Sequence, residues 1–493
     1  MSLKSTAAVL LAKRDVRRMK KWASDPIRVQ QRTFDTLSTK LKVTQYGRDL
    51  KLPNQLTMSD WAAAVPLATY EDLKPYVERV RSGERDVLYP GLPKYFCTTS
   101  GTTSGSKYIP MTEEGIKAQV QAARNALLAY MYQSGNKSFV DGKMIFLQGS
   151  PVTEKNNGIE TGRLSGIVAH HVPNYLQKNR LPSWETNCIS EWEAKIDAIV
   201  EETKDQDLRL VSGIPPWVQM YFEKLLAKTG KKTIREVFPN LSVFAHGGVN
   251  FDPYRSVFNN LIGGEIDSIE TYPASEGFIA FQDDQDVEGM LLNLEGGIFY
   301  EFIPADELHN ENPSRLTLGQ VKMGVNYAIV LNTASGLWGY VIGDLVQFTS
   351  VSPYRIVVSG RIAHFISAFG EHVIAQEVES AIAETAAKHA LTISEFHVAP
   401  LVKPENGKPR HQWFIEADDE LSEAFASDLD AAVRSKNKYY DDLVKGNVLQ
   451  RLEVVKAPRG TFNIYMESIG KLGGQNKLPR LANDRSIADQ LKV

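Results

Sequence analysis

The sequence predicts an α/β fold with a large N-terminal domain and a small C-terminal domain, and three observations support this prediction. Strand-like apolar runs alternate with helical segments over residues 1–272, which is typical of parallel sheets flanked by helices. Short strand-like pieces separated by glycines then occupy 287–358, which indicates antiparallel structure, a small barrel or an extra sheet. Finally, 493 residues exceed the size of one ordinary core.

The order of elements in the first part of the chain supports the parallel sheet. Apolar residues at helical spacing predict helices over 5–24, 27–45, 70–82, 112–134, 189–204 and 215–226. Apolar runs bounded by turn residues predict strands over 140–149, 208–213, 241–248 and 268–272. Ligands of such sheets bind at the carboxyl ends of the strands.

The pattern changes twice after residue 286. The β-rich region divides into strand-like pieces at 290–294, 298–303, 318–322, 326–332, 339–342, 345–348 and 354–358. Beyond it, helices over 376–389, 419–435 and 438–446 mix with strands over 394–399, 411–416 and 451–455. We therefore expect a large domain over 1–360, a small α+β domain over 365–493 and a hinge near 359–365.

Composition and charge exclude several classes of function. A net charge of −3 gives no basic excess that would favour nucleic acid or an anionic membrane. The chain has two cysteines, Cys97 and Cys188, and no apolar run long enough to span a bilayer. We expect a cytoplasmic protein without an obligatory protein partner.

The stretch from Tyr95 to Pro110 carries chemistry suited to a polyphosphate. Glycines allow main-chain N–H groups to surround an anion, hydroxyls add donors, and Lys107 adds a positive charge. It is not a Walker loop, because three residues rather than four separate Gly101 from Gly105. A polar surface loop is the alternative. The candidate phosphate ligands are Thr99, Ser100, Gly101, Thr102, Thr103, Ser104 and Lys107.

Three later stretches carry groups that suit the rest of a nucleotide. A predicted strand precedes the stretch from Thr271 to Gly277, in which Tyr272 can stack on a base and Glu276 can hold Mg²⁺. Asp344 follows a strand and a tight turn, where a carboxylate can accept two ribose hydroxyls. The tail from Gly470 to Arg480 is basic and rich in glycine. Taken singly, these groups are better explained without a ligand: Asp344 as a turn residue, Glu276 as a solvated loop acid, and Lys471 and Lys477 as surface charges.

Taken in order, these stretches resemble the signature motifs of the adenylate-forming superfamily of acyl-CoA synthetases, luciferases and peptide-synthetase adenylation domains. Residues 100–107 resemble its phosphate loop, and 272–276 its Tyr-Gly-x-Thr-Glu motif. Gly343-Asp344 resembles its Thr-Gly-Asp motif, with Ile342 in place of threonine. Gly360-Arg361 resembles its hinge motif, with Ala363 at the usual acid, and 477–480 resembles its terminal Lys-x-x-Arg.

Within that superfamily the chain is most similar to the plant auxin-responsive acyl acid amido synthetases and their bacterial relatives. The similarity rests on residues 44–47, 65–76, 212–217 and 475–480 and spans nearly the whole chain. It implies an ATP-dependent ligase with Mg²⁺ that adenylates a small carboxylic acid. The acyl group then passes to the amine of an amino acid, releasing AMP after pyrophosphate, while the small domain rotates between the two steps.

The resemblance also implies a role for each candidate residue. Residues 99–107 hold phosphates, Glu276 holds Mg²⁺ and Tyr272 packs on adenine, with Thr271 and Ser275 beside them. Asp344 and Arg361 bind ribose. Lys477 stabilises the reacting α-phosphate or acyl oxygen.

Several alternatives remain open. Lys471 could replace Lys477 as the catalytic lysine. Coenzyme A could be the acceptor, with Lys403, Lys408 and Arg410 as candidate contacts, and a nucleotide-binding regulator without turnover is the alternative of another class. His170-His171 could line a pocket or pack in the core, and Cys97 is expected to be a small buried residue.

Overall fold

A computed structural model describes residues 3–493 except 101–105, 173–176, 249–250, 309, 363–364, 367–372, 403, 405, 446–447 and 473–476. The helices are α1 Leu3–Ala23, α2 Pro26–Lys42, α3 Gln45–Asp49, α4 Met58–Ala64, α5 Tyr70–Arg81, α6 Glu113–Ser134, α7 Leu164–Ala169, α8 Trp184–Asn187, α9 Trp192–Thr203, α10 Pro215–Thr229, α11 Ile234–Val237, α12 Arg255–Ile262, α13 Ala375–Lys388, α14 Glu423–Lys436, α15 Lys438–Lys445 and α16 Thr461–Ser468. Every helix predicted from the sequence is present, with ends shifted by a few residues.

The strands mix short hairpins with long core segments. They are β1 Tyr95–Ser100, β2 Ser106–Met111, β3 Lys143–Phe146, β4 Glu154–Asn156, β5 Ile159–Gly162, β6 Arg180–Leu181, β7 Leu208–Ser212, β8 Val243–Gly247, β9 Asp267–Ala274, β10 Gly277–Phe281, β11 Met290–Leu292, β12 Ile298–Pro304, β13 Asn326–Thr333, β14 Tyr340–Val351, β15 Tyr354–Arg361, β16 Phe365–Ile366, β17 Val373–Ile374, β18 Ile393–Leu401, β19 Arg410–Ala417 and β20 Glu453–Ala457.

The central feature is an 11-stranded sheet with the order β12-β13-β14-β15-β11-β10-β9-β8-β7-β3-β6. Strands β6, β3, β7, β8 and β9 run parallel, and β9 then pairs antiparallel with β10. The predicted mixed α/β fold is therefore confirmed. The β-rich region, for which the sequence favoured a barrel-like subdomain, continues the parallel sheet across β10.

Two sequence predictions in the β-rich region need correction. Residues 318–322 were expected to form a strand, but Leu318–Gln320 is a 3₁₀ turn. The side-chain oxygen of Gln320 accepts the main-chain N–H and the hydroxyl of Thr317, and this capping arrangement favours the turn. The two pieces predicted at 339–342 and 345–348 belong to one strand, β14, which passes through Gly343 at φ +93°.

Helices α1 and α6 pack together over the main core. Ala12, Val16 and Met19 of α1 and Ala126 and Tyr130 of α6 belong to one buried cluster with the central strands. The basic residues of α1 lie mainly on its opposite, exposed side, as the amphipathic prediction requires. Among the described residues, the helices are too short or too polar for any of them to cross a membrane.

The chain forms two compact units. The first comprises Met1–Val249, Leu261–Ile342 and Val346–Val357. The second comprises Asn250–Asn260, Gly343–Leu345 and Val358–Val493. Its main core packs α13 and α14 on a three-stranded sheet of order β18-β19-β20, with Trp413 and Phe425 fully buried. The expected hinge near 359–365 stays a prediction.

Candidate functional site

The phosphate-loop candidate lies on a β-hairpin. Strand β1 pairs antiparallel with β2, so that Thr99 faces Lys107 across the hairpin. Ser100 ends β1 and pairs with Ser106 through the main chain. The loop residues Gly101, Thr102, Thr103 and Ser104 lie outside the described residues. Within the described residues, the hairpin places Thr99 and Lys107 opposite each other on neighbouring strands.

Helix α5 supports the second strand of this hairpin. The hydroxyl of Tyr70 accepts the main-chain N–H of Tyr108 at 2.9 Å. The Lys107 ammonium lies 5.8 Å from the centre of the Tyr70 ring, within the range of a cation–π contact. Thr69 begins α5 with a capping box, because Asp72 accepts both its main-chain N–H and its hydroxyl. The block at residues 65–76 therefore supports the strand that carries Lys107 and contacts the Lys107 side chain through Tyr70.

The same block is joined to the strand that leads to Asp344. Ala68 donates its N–H to the Gly339 carbonyl at 2.8 Å and accepts the Val341 N–H at 2.9 Å. Gly339 has φ +56°, and a Cβ there would lie 2.1 Å from the carbonyl oxygen of Pro66. Only glycine fits this approach. The contact gives a physical reason for the Gly339-to-Asp344 motif.

The motif at 44–47 is mainly structural. Thr44 caps helix α3 by accepting the Gly47 N–H at 3.0 Å. The buried ring of Tyr46 packs edge-to-face on Tyr76, with ring centres 4.9 Å apart. These residues therefore support the block at 65–76.

Residues 271–276 lie where the sheet changes from parallel to antiparallel pairing. Strand β9 extends to Ala274, two residues beyond the predicted end, so Thr271 and Tyr272 are strand residues. Ala274 pairs with Gly277, which leaves Ser275 and Glu276 in a two-residue turn. The turn follows the carboxyl end of the parallel strand β9, and ligands of open α/β sheets bind outside the carboxyl ends of the strands.

The side chains of this turn have different surroundings. Thr271 donates its hydroxyl to the His246 carbonyl at 2.8 Å, which ties the end of β9 to β8. Tyr272 is buried in the main core. Glu276 is partly exposed, and its carboxylate accepts the Tyr340 hydroxyl at a long 3.4 Å.

The hairpin and the Glu276 turn are neighbours. Cys97 on β1 is fully buried, and the pKa of its thiol is raised, first by burial and also by the nearby charge of Glu276. Cys97 is therefore a protonated, inert thiol, as the sequence indicated. Its position places β1, and with it the hairpin of β1 and β2, close to Glu276.

Sequence reasoning missed Gln119 on α6. This side chain is 3% exposed and donates to the Ala274 carbonyl at 2.7 Å, immediately before the Glu276 turn. It fixes the turn from the helix side. A polar residue in the middle of an otherwise apolar helix face was the available signal.

The ribose candidates lie on the neighbouring strands β14 and β15 of the β-rich region. Asp344 is buried on β14, immediately after Gly343. Arg361 is the last residue of β15, and the structure describes its main chain. Both belong to the second compact unit, together with Lys477.

The two tail lysines have different settings. Lys471 follows α16, and its main-chain N–H donates to the Met466 carbonyl at 2.8 Å, which makes it a helix-end residue. Lys477 is exposed and begins the tail that runs to Arg480. The choice of Lys477 over Lys471 stays a prediction.

Local contacts account for both His170 and His171. The Nε2 atom of His170 is 2.8 Å from the Pro151 carbonyl, and its ring packs on Trp184. The Nε2 atom of His171 is 3.1 Å from the Tyr95 hydroxyl. Burial, with a contribution from Lys94, lowers the pKa of His171 and favours its neutral form. Within the described residues, no group of three or more His, Cys, Asp or Glu side chains could hold a metal ion.

Comparison with solved structures defines the class of the fold. The GH3.15 acyl acid amido synthetase superimposes with a TM-score of 0.78 at 14% identity, covering 100% of this chain and 96% of that one. A 2-hydroxyisobutyryl-CoA ligase in its postadenylation state superimposes with a TM-score of 0.59 at 13% identity, covering 93% and 89%. At these identities the likeness establishes the fold, which is that of adenylate-forming enzymes.

The family follows from three domain matches in order along the chain. The GH3 family N-terminal domain matches residues 15–188, the central domain 291–361 and the C-terminal domain 376–486. The chain belongs to the GH3 family, and the resemblance drawn from the motifs is confirmed.

Plant enzymes are among its relatives in sequence. A jasmonoyl–L-amino acid synthetase, JAR4 of Nicotiana attenuata, is 21% identical over 542 residues, covering 94% of this chain and 92% of its own. An indole-3-acetic acid-amido synthetase, GH3.10 of Arabidopsis thaliana, is 22% identical over 526 residues, covering 87% of each chain.

Proposed function

We propose that this protein is an acyl acid amido synthetase that works in two steps. In the first step a carboxylate attacks the α-phosphate of ATP, which gives an acyl-adenylate and pyrophosphate. In the second step the amine of an amino acid attacks the acyl carbon, forms an amide and releases AMP. The observation that carries this proposal is the match of all three GH3 domains in order, along a chain that covers 92% of a jasmonoyl–L-amino acid synthetase.

The first step brings a carboxylate against a triphosphate, so the site must neutralise negative charge. We assign phosphate binding to Thr99, Ser100, Gly101, Thr102, Thr103, Ser104 and Lys107. Tyr272 packs on adenine, flanked by Thr271 and Ser275, while Asp344 and Arg361 bind ribose. Lys477 stabilises the charge that develops at the α-phosphate. The pairing of Thr99 with Lys107 supports the first of these assignments.

Glu276 fits the ligand that Mg²⁺ needs here. Magnesium bound to a nucleotide takes one or two protein carboxylates and several phosphate and water oxygens. Glu276 offers one partly exposed carboxylate in a turn beside the phosphate hairpin. When bound, the ion neutralises phosphate charge, while Tyr340 and Gln119 keep the turn in place.

An amino acid is favoured over coenzyme A as acceptor. Arg410, a candidate for the 3′-phosphate, already pairs with Glu453 at 2.9 Å and is 17% exposed. Lys403 lies outside the described residues. The likeness to a CoA ligase keeps coenzyme A as the second candidate. Domains over 1–360 and 365–493, joined by a hinge near 359–365, and a cytoplasmic location complete the proposal.

Acid-dependent exchange of labelled pyrophosphate into ATP tests the first step. We expect exchange with at least one member of a panel containing jasmonic acid, indole-3-acetic acid and other aryl- and alkanoic acids. The twenty amino acids or coenzyme A are then supplied, and the products are identified by mass. Tight ATP binding without exchange for any acid would leave a nucleotide-binding regulator, and a thioester without any amide would identify a CoA ligase.

A further inference from the structure

The tail that follows Lys477 is bound to the second unit as an additional strand. Val398 of β18 donates its N–H to the Arg480 carbonyl at 2.9 Å and accepts the Ala482 N–H at 3.0 Å. The Pro479 carbonyl accepts a hydrogen bond from Nδ1 of the buried His397 at 2.6 Å. Leu481 is 1% exposed in the core of the unit. The main chain is therefore fixed from residue 479 onward.

Arg480 locks this strand through its side chain. The guanidinium is 9% exposed and donates to Glu395 at 2.8 Å and to Glu379 at 3.3 Å. It also lies over the Tyr254 ring, 5.0 Å from its centre. Tyr254 in turn donates its hydroxyl to Glu395 at 3.3 Å. Two carboxylates and an aromatic face thus converge on one arginine from three separate parts of the sequence.

This lock is close to Lys477 along the chain. Three extended residues span roughly 10 Å, so the main chain of Lys477 lies within about 10 Å of the point where Arg480 is held. Lys477 itself is exposed. The lock is therefore a fixed point, three residues from Lys477, from which the tail can aim this lysine.

A purely stabilising role explains the cluster less well. Buried ion pairs are costly to desolvate, and apolar residues of similar volume often give equal or greater stability. The unit already has two apolar cores, one with Trp413 and Phe425 and one with Phe414 and Phe462. A planar guanidinium that bridges two carboxylates adds orientation, which a further apolar contact would not supply.

We propose that Arg480, held by Glu379 and Glu395, is a positioning residue that aims Lys477 for the adenylation step. This inference rests on the proposed function of the protein and of Lys477. It assigns to Arg480 no contact with substrate. Its role is to fix the main chain that carries the catalytic lysine.

Arg480→Lys tests the inference, because lysine keeps the charge but cannot bridge both carboxylates. With the best acid of the panel, we expect kcat of pyrophosphate exchange to fall about 10-fold or more, with KM for ATP changed less than about threefold. Amide formation from a chemically prepared acyl-adenylate should fall less than about threefold. Arg434→Lys, which alters another arginine of the same unit that pairs with two carboxylates, Asp430 and Asp441, is the matched control and should change neither rate by more than about twofold.

Combination with Lys477→Ala separates positioning from general stability. If Arg480 acts through Lys477, the double variant is no slower in exchange than Lys477→Ala alone. The inference is overturned if the rate losses of the two single variants multiply in the double variant, or if Arg480→Lys slows both steps equally. It is also overturned if Arg480→Lys is fully active. If Arg480→Lys does not fold, Glu395→Gln decides by the same comparison. Normal exchange by Lys477→Ala would instead refute the role of Lys477, and the absence of exchange with every acid would refute the proposed function.

Discussion

Two buried cations, one in each unit, hold the main chain in different ways. Lys195 on α9 is 2% exposed and donates to the main-chain oxygens of Gln148, beyond the end of β3, and of Asn187. Within the described part of the chain it has no carboxylate partner. Burial lowers the pKa of Lys195 to about 8. Arg480, in contrast, is held by two carboxylates.

The difference means that the charge of Lys195 in the first unit depends on pH, whereas the charge of Arg480 in the second unit does not. Burial acts to lower the pKa of Arg480, but Glu395, Tyr254 and Glu379 outweigh it, so its pKa is raised and its charge is permanent. Lys195 can lose its charge in mildly alkaline solution. In the first unit the sheet register positions Glu276. In the second unit the tail is held by a strand bridge to Val398, a hydrogen bond from His397, the buried Leu481 and the Arg480 ion pairs.

The largest effect is expected at Lys477, the residue that the arginine lock serves. Loss of one group that stabilises developing charge typically costs about 10²–10³ in rate, so Lys477→Ala should slow pyrophosphate exchange by that factor. ATP binding, measured by calorimetry, should change much less. Lys471→Ala, at the end of α16, is the control. A dead Lys471→Ala beside an active Lys477→Ala would reverse the assignment.

On the first-unit side, Glu276→Gln should reduce exchange by about 10²-fold, because the amide keeps the shape of the turn but removes the charge that binds Mg²⁺. The concentration of Mg²⁺ needed for half-maximal exchange should rise. Glu288→Gln, at an exposed position, is the control. An unchanged Mg²⁺ requirement with full activity would remove Glu276 from the metal site.

The contrast between the cations predicts a pH effect on stability. Burial lowers the pKa of Lys195 from its ordinary value of 10.5 to about 8, so between these pH values the folded chain has released this proton while the unfolded chain still binds it. Below about pH 8, the cost of burying the charged Lys195 therefore lowers the unfolding free energy in full. This loss disappears as the pH rises toward 10.5.

Urea titrations at pH 7 and pH 10 measure this effect. Between pH 7 and pH 10 the wild type should gain roughly 2–3 kcal/mol of unfolding free energy relative to Lys195→Met, because methionine has no proton to release. Exposed Lys21→Met should keep the wild-type slope. If the unfolding free energies of Lys195→Met and wild type differ by the same amount at both pH values, Lys195 does not have a lowered pKa in the folded chain.

The smallest effect is expected at Tyr340, whose hydroxyl makes a long 3.4 Å contact with Glu276. A hydrogen bond of this kind contributes about 0.5–1.5 kcal/mol, so Tyr340→Phe should slow exchange about 2–10-fold. Exposed Tyr132→Phe should have no effect. A loss as large as that of Glu276→Gln would mean that Tyr340 contacts a reacting group itself.

The helices and the parallel strands could be predicted because each is encoded by local periodicity and by apolar runs. The hairpin of β1 and β2 could not, since its hydroxyl-rich strands lack alternating burial. Gly343 looked like a turn between two strands, but a single residue at positive φ does not interrupt β14. These errors concern local conformation.

The arginine lock was beyond sequence reasoning for a different reason. Arg480 was visible as part of a Lys-x-x-Arg motif, but its partners Glu379, Glu395 and Tyr254 are distant in sequence. Nothing local distinguishes these carboxylates from other surface acids. Gln119 was missed likewise, because its acceptor at Ala274 becomes apparent only when α6 packs on the sheet.

The account depends most on the attack of a carboxylate oxygen on the α-phosphate of ATP. The direct measurement is a complete reaction with an acid labelled with ¹⁸O in both carboxyl oxygens, followed by mass spectrometry of the nucleotide and the amide. The account predicts AMP that carries one ¹⁸O atom and an amide that retains the other. Formation of ADP with ¹⁸O in inorganic phosphate would show attack on the γ-phosphate and would contradict it.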